Sequence, residues 1–519
     1  MSEPRTPPPA RSGGAGPGAL ARALDLIERF GNQLPHPVTM FVLFAILVAI
    51  ASAIASTLGF SAIHPKDGST IVPVNLLTVD GLRRMFTEAT RNFTGFAPLG
   101  TVLVAMLGIG VAEGSGLIAT ALRALVTRVP RQWLTATVVF AGILAHLAAD
   151  AGIIVLPPLA AILFVSVGRH PLAGIAAAFA GVAGGFSASV LPTTLDVLLA
   201  GLTQEAVDAS RLLPGYHVQL LGNYWFMIAA SPVLVIAGTW ITHKFVEPRL
   251  GAWAGAGDDA ARDLTPVESR GLAAAGLATL GTVALFALLA SPVGPLQGEG
   301  STLLERLRPF FDSMVTLVML FFLIPGLAYG IATGKIRNDH DVAKMASDSM
   351  GTMATYIVLA FTAAQFVSWF AWSNLGAIVA ITGADGLKRL GLEGAPLLAA
   401  FVLFSAGLDV FLASASAKWA ILAPVFVPMF TLLGFTPEGT QAVYRIGDSI
   451  TNVITPLMPY MPFILAYVQR YDPKAGTGTI IAMMLPYSIA FLVLWTMLLM
   501  VFYWAGWPIG PGVGLVLPR

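Results

Sequence analysis

The chain has no cysteine among its 519 residues. Disulfides, thiolate metal sites and cysteine nucleophiles are therefore excluded. Charge is scarce too: Asp, Glu, Lys and Arg make up 11% of the chain, less than half of the roughly 25% usual in a soluble domain. The formal net charge of +1 argues against nucleic acid as a partner, because phosphate binding needs a clustered basic surface. No HExxH, Walker or GxGxxG pattern stands where it would work, so metalloprotease and nucleotide chemistry have no foothold. The first 20 or so residues are rich in Pro, Gly, Ala and Arg and lack the apolar core of a signal peptide. Residues 1–30 read as a disordered cytoplasmic tail.

Apolar side chains supply 56% of the sequence, and the mean hydropathy is +0.78. A soluble fold of that composition would expose large apolar patches. The apolar residues instead gather in stretches of roughly 20, long enough to cross a hydrocarbon layer of about 30 Å. The expected fold is an all-α polytopic membrane protein with nine transmembrane helices and two re-entrant hairpins. The spans fall at about 37–59, 97–122, 171–200, 218–247, 271–291, 311–333, 352–384, 440–468 and 478–505, and the hairpins at about 132–168 and 397–434. The first half covers 31–242 with hairpin 132–168 and a broken helix at 171–200. A polar cytoplasmic linker, 243–270, carries Asp258, Asp259 and Arg262. The second half covers 271–508 with hairpin 397–434 and a broken helix at 440–468, and 509–519 form a C-terminal tail. With the N-terminus inside, 17 basic residues fall on the cytoplasmic side and 10 on the other, the sign expected of an inner-membrane protein. Lys418 and Arg445 belong to neither side, because both lie inside apolar stretches.

The halves share a segment. Leu156–Gly181 and Leu422–Gly447 align without gaps at an offset of 266, matching Pro158 to Pro424, Gly168 to Gly434, Pro171 to Pro437 and Gly181 to Gly447. Apolar matches come cheaply in membrane proteins, but four helix-breaking residues in one register do not. The topology places the two copies in opposite orientations, an inverted repeat with its site near the midplane. Backbone freed at such breaks must be satisfied by protein, water or ligand. The candidate hairpin tips are Ala148–Gly152 and Ala413–Lys418. The candidate unwound stretches are Gly184–Ser189 and Asp448–Pro456, where Ser187, Ser189 and Asn452 offer polar groups. GxG pieces such as Gly108–Gly110 read as helix-packing positions.

Ionisable residues at membrane depth are costly and are functional candidates by default. They are Asp150 and Asp196 in the first half, and Asp409, Lys418, Arg445 and Asp448 in the second. Asn452 follows Asp448 by four residues, which on a helix puts both on one side. Carboxylates with nearby hydroxyls and carbonyls suit Na⁺ or a titrating proton. Arg445 and Lys418 suit an anionic substrate, and Trp419 suits an aromatic ring. Each has a plainer reading. Arg445 and Asp448 neutralise each other; Lys418 snorkels to the interface; Trp419 is an interfacial or core aromatic; Asp150 is a helix cap; Asp196 is a solvated rim residue. His146 and His170 read as structural rather than metal ligands.

The segments ADAGIIVLPPLAAILF, GRHPLAGIAAAFAGVAGGFSAS, SASAKWAILAPVFVPMF and YRIGDSITNVITPLMPY resemble the p-aminobenzoyl-glutamate transporter (AbgT) family. The resemblance runs from about Gly31 to about Val501. It implies a homodimer of nine-span, two-hairpin protomers, each with an inner core and an outer transport domain. It also implies uptake of p-aminobenzoyl-glutamate or export of sulfonamide antimetabolites, driven by an ion gradient. The family's functional positions match Asp196, Ser416, Trp419, Pro437, Arg445, Asp448 and Asn452 here. The expected substrate is a small anionic aromatic molecule. No cofactor is expected beyond a Na⁺ for which Asp448, Asn452 and Asp409 are the candidate ligands. Two positions depart from the family pattern: Ser189 and Asp409 each stand where members carry Asn. The second adds a negative charge beside the proposed cation site. Besides a coupled transporter, a passive channel remains open, and so does the direction of transport. A membrane-embedded enzyme is disfavoured, because no nucleophile–base pair or metal triad is present.

Overall fold

In a computed structural model of the chain, residues 35–63, 68–127, 129–145, 151–253, 264–300, 302–412 and 414–518 are described. The predicted tail 1–30 lies outside them, as do His146, Ala148–Asp150 of the first tip and Ala413 of the second.

Among the described residues the secondary structure is helix, with one two-stranded sheet, Ala62–Ile63 with Thr70–Ile71. Eight helices are long and apolar enough to cross a membrane, or nine if the bent pair Leu375–Arg389 and Gly394–Asp409 counts as one span. Pro266–Leu289 shows why composition alone pointed to a bilayer. Its apolar side chains face outward, with Leu277 73% and Leu280 69% exposed, as only a lipid or protein neighbour would tolerate.

The matched breakers do matched work. Gly168 and Gly434 both adopt positive φ, +76° and +89°, where an L side chain is strained. Two residues later in each copy a side chain caps a helix that starts with proline. His170 Nδ1 accepts from Leu172 N–H ahead of Pro171–Phe179, and Thr436 Oγ1 accepts from Gly439 N–H ahead of Pro437–Ile450. Proline at the first helical position loses no bond there and presets φ. Gly181 and Gly447 both allow backbones to touch. A methyl on Gly181 would lie 2.3 Å from the Val139 carbonyl oxygen, and one on Gly447 would lie 2.5 Å from that of Val402.

The hairpin regions each fold as two helices, Leu134–Leu144 with Ala151–Ser166 and Gly394–Asp409 with Ala415–Leu432. Both expected spans that break do so a little later than predicted. The first passes through a π turn at Ala180–Gly184 and is non-helical from 185 to 193 before Thr194–Ser210. The second stays helical through Ile450 and is non-helical from 451 to 460 before Met461–Gln469. Asp448 is therefore in the helix and Asn452 beyond its end, so the shared helix face expected of the two does not exist.

Two further spans are divided. The stretch predicted at 97–122 separates into Ala97–Gly114 and Leu117–Thr127 at Gly116, φ +86°. The stretch predicted at 352–384 separates into Ala354–Trp372 and Leu375–Arg389, because Asn374 takes the left-handed conformation at φ +59° and donates to the Val72 carbonyl. The predicted linker is shorter than 243–270: the preceding helix continues to Leu250 and the next begins at Pro266. Gly108 packs against the Met319 backbone and Gly110 against Ser349, as the small-residue reading expected.

Ala97–Gly114, Pro266–Leu289 and Met314–Thr333 pack together, as do Pro37–Thr57 and Ala354–Trp372. The hairpin helices and broken helices form a second set with Tyr224–Ile241 and Thr477–Ala505. Thr194–Ser210 touches both sets, through Ala97–Gly114 on one side and Ala415–Leu432 on the other. Every residue of Pro437–Ile450 is buried, including Glu438, Gln441, Arg445 and Asp448.

Candidate functional site

Pro437–Ile450 carries two buried ion clusters one turn apart. Arg445 reaches the first half: its Nη1 donates to Asp196 Oδ1 at 2.6 Å and its Nη2 to the Ser187 carbonyl at 3.1 Å. Asp196 sits three residues into Thr194–Ser210. Its Oδ2 accepts from Thr193 N–H at 2.7 Å and from Thr193 Oγ1 at 2.8 Å, closing a capping box. The second half of this clamp is Ser449, whose Oγ accepts from Ser187 N–H and donates to the Arg445 carbonyl. Asp196 is thus not a solvated rim residue. It is 9% exposed, and its charge is cancelled from the other repeat.

The second cluster is internal to the second half. Lys418 Nζ bonds Asp409 Oδ1 and lies 2.8 Å from Asp448 Oδ1. Thr451 Oγ1 donates to Asp409 Oδ2 at 2.7 Å, and Tyr444 OH lies 3.0 Å from Asp448 Oδ1 and donates to the Ala415 carbonyl. Lys418, Asp409 and Asp448 are each no more than 1% exposed, so Lys418 does not snorkel. Arg445 and Asp448, three apart on one helix, do not pair; each has a closer partner on another element. Two carboxylates share one ammonium here, against one carboxylate for one guanidinium in the first cluster.

Three polar atoms on residues of the clusters are buried without a hydrogen-bond partner among the described residues: Asp448 Oδ2, Arg445 Nε and Ser187 Oγ. Native interiors leave few such groups. Their position marks where a proton, an ion or a substrate group has something to bind.

The other candidates are placed more loosely. Trp419 is fully buried, stacked on Tyr444 at 4.5 Å and 28°, and its Nε1 donates to Thr203 Oγ1. Its ring is covered in this conformation. Ser416 is half-buried at the start of Ala415–Leu432. Pro437 begins the helix about 16 Å along the axis from Asp448, so the structure does not bring it to the clusters. Asn452 is buried just past the helix end, its backbone N–H on the Ser449 carbonyl. Ser189 Oγ bonds the Leu191 carbonyl, next to the first cluster but outside it. Asp150 lies outside the described residues. His170 is structural, capping a helix and meeting Trp253 edge-on.

Tyr444, Thr451, Ser449, Thr203 and Gln441 were missed by sequence reasoning. Thr203 Oγ1 donates to Gln441 Oε1 at 2.6 Å and so ties the same two helices as Arg445–Asp196. A signal existed: Gln441, Arg445 and Asp448 follow at i, i+4 and i+7, a polar stripe inside an apolar region. The Lys418 ammonium engages one oxygen each of Asp409 and Asp448, and Asp448 Oδ2 is left without a hydrogen-bond partner among the described residues.

Two broken helices and the hairpin Gly394–Asp409 with Ala415–Leu432 meeting at buried, partly unsatisfied charge define a polytopic membrane transporter. Comparison with known proteins agrees. The chain belongs to the family described as the AbgT putative transporter family, which it matches over residues 22–517. It is 41% identical over 487 residues to the p-aminobenzoyl-glutamate transport protein of Escherichia coli strain K12, covering 94% of this chain and 96% of that one. The crystal structure of the Alcanivorax borkumensis YdaH transporter superposes with a TM-score of 0.86 at 46% identity, over 92% of this chain and all of that one. Neisseria gonorrhoeae MtrF, described among a class of antimetabolite efflux pumps, superposes at 0.88 with 44% identity, over 95% of this chain and all of that one.

Proposed function

We propose that the protein is an ion-coupled secondary transporter of the bacterial inner membrane, with a cytoplasmic N-terminus, working as a homodimer. Its cargo is p-aminobenzoyl-glutamate or related aromatic carboxylates, the class that the Escherichia coli relative's name supports. One observation carries the coupling: Asp409, Lys418 and Asp448 form a buried group with one acid in excess and a free carboxylate oxygen. An uncompensated charge at that depth is costly, so the group favours taking up a proton or cation when it closes. Lys418 already engages both carboxylates, which favours a proton over Na⁺. The cargo meets the neighbouring clamp, where Arg445 is the guanidinium suited to a carboxylate once Asp196 gives way.

Export of sulfonamide antimetabolites is a second reading, favoured by the likeness to MtrF. Radiolabelled p-aminobenzoyl-glutamate flux in proteoliposomes, with H⁺ and Na⁺ gradients imposed one at a time, separates these readings. Uphill accumulation under a proton gradient alone is expected. Flux that stays downhill under either gradient would make the protein a passive channel and sink the coupled reading.

A further inference from the structure

A cavity of about 350 Å³ lies away from both ion clusters. It is bounded by the Ala97 end of Ala97–Gly114, one face of Thr194–Ser210, residues 217–220 and residues 308–315. In the predicted orientation this is the outer side. Its size falls within the range of about 300–1,000 Å³ that holds drug-sized molecules.

Its inner wall is a single helix. Val197, Ala200, Gly201 and Gln204 line the cavity with the spacing of one helical stripe. Asp196 and Thr203, seven residues apart on another face of that helix, hold Arg445 and Gln441. The cavity and the buried network therefore lie on different faces of Thr194–Ser210.

The rim has the chemistry for one kind of guest. Arg308 and Asp312 both line the cavity, so its lining is charge-balanced; they stand 3.9 Å apart in a pair more than half exposed on both sides, so the contact is weak and the guanidinium can turn to a carboxylate through two N–H groups. The backbone N–H of Gln219 is held by Glu438, which fixes the loop, and Gln219 is one of the residues lining the cavity. Phe311 presents a ring to the same space. Ala97–Gly114 also borders a second cavity of about 470 Å³ at its opposite end, lined by Glu113, Asp341 and Asp348 against Lys335 and Lys344. That end carries one acid in excess and repels an anion.

We infer that the outer cavity is a binding station for carboxylate-bearing aromatic amides, with Arg308 and Gln219 on the carboxylate and Phe311 on the ring. The station rests on the transport reading above, and it loads the cargo one helix away from Arg445.

The absence of cysteine makes the test clean. In the full-length protein in proteoliposomes, Thr101→Cys, at a lining position that the station does not use, is labelled with a membrane-impermeant maleimide. p-Aminobenzoyl-glutamate is expected to slow the labelling several-fold, and Arg308→Gln to remove that protection. Arg308→Gln without the cysteine is expected to raise KM about tenfold, the worth of one charge-assisted hydrogen bond, with the loss falling on KM rather than kcat. Unprotected labelling and an unchanged KM in Arg308→Gln, while the wild type still carries flux, overturn the station and leave the transport reading standing. Protection without wild-type flux keeps the station and overturns the transport reading. Neither protection nor flux overturns both.

Discussion

Arg445 and Lys418 are both fully buried cations on the second half, yet their surroundings differ in kind. Arg445 faces one acid, and that acid has further donors from Thr193; the pair joins elements 249 residues apart and is electrically closed. Lys418 faces two acids contributed by its own half, with Asp448 Oδ2 unsatisfied. The first arrangement fixes one repeat against the other. The second is left short of one positive charge, which suits a group that must change its charge state during a cycle. Buried charge alone does not mark a coupling site; an imbalance of buried charge does.

Breaking the clamp has the largest expected effect. Arg445→Ala leaves Asp196 buried without its counter-charge and should cost about 3–5 kcal/mol, seen as a large drop in thermal unfolding temperature in detergent together with loss of flux. The double variant Asp196→Leu/Arg445→Met should recover much of that stability, since an apolar pair can replace a buried ion pair, but not transport. Recovery of both would make the pair purely structural.

Asp448→Asn comes next. It leaves Lys418 paired with Asp409 alone and should abolish uphill accumulation while the protein stays folded, read by gradient-driven flux beside a melting curve. Wild-type accumulation would remove Asp448 from the coupling group. Asp409→Asn also leaves one acid for one ammonium but keeps Asp448 and its free oxygen, so transport should persist with one fewer charge moved per cargo. The zero-flux potential at fixed substrate gradient reports that change, and an unmoved value would show that Asp409 stays neutral throughout the cycle.

The smallest effect is expected at Tyr444. Tyr444→Phe loses the hydroxyl contacts to Ala415 and Asp448 and should cost about 1–1.5 kcal/mol of stability, with transport reduced rather than lost. A loss as large as that of Asp448→Asn would place the phenol in the proton path.

Much of this contrast was visible in the sequence, but not its sense. Asp196, Asp409, Lys418, Arg445 and Asp448 stand out because each is ionisable in an apolar stretch. The helix starts at Pro171 and Pro437 and the turns at Gly168 and Gly434 were legible because proline and glycine act on their own backbone. Arg445 suggested Asp448 as its partner because the two are three residues apart, and Trp419 suggested a free aromatic face. Both readings depended on what other segments bring close, which spacing cannot reveal. Asn452 failed for a subtler reason: its expected face required the helix to continue past Ile450, and it ends there.

The sequence by itself determined the membrane setting, the matched proline and glycine positions and the inventory of buried charge, because apolar length, missing N–H groups and side-chain ionisation are local properties. Only the tertiary structure decided that Arg445 is closed by Asp196, that Lys418 is shared by Asp409 and Asp448, and that the Arg445 clamp and the outer cavity lie on different faces of Thr194–Ser210. A buried charge takes the partner nearest in space, because charge left unpaired there is costly, and distance along the chain does not enter.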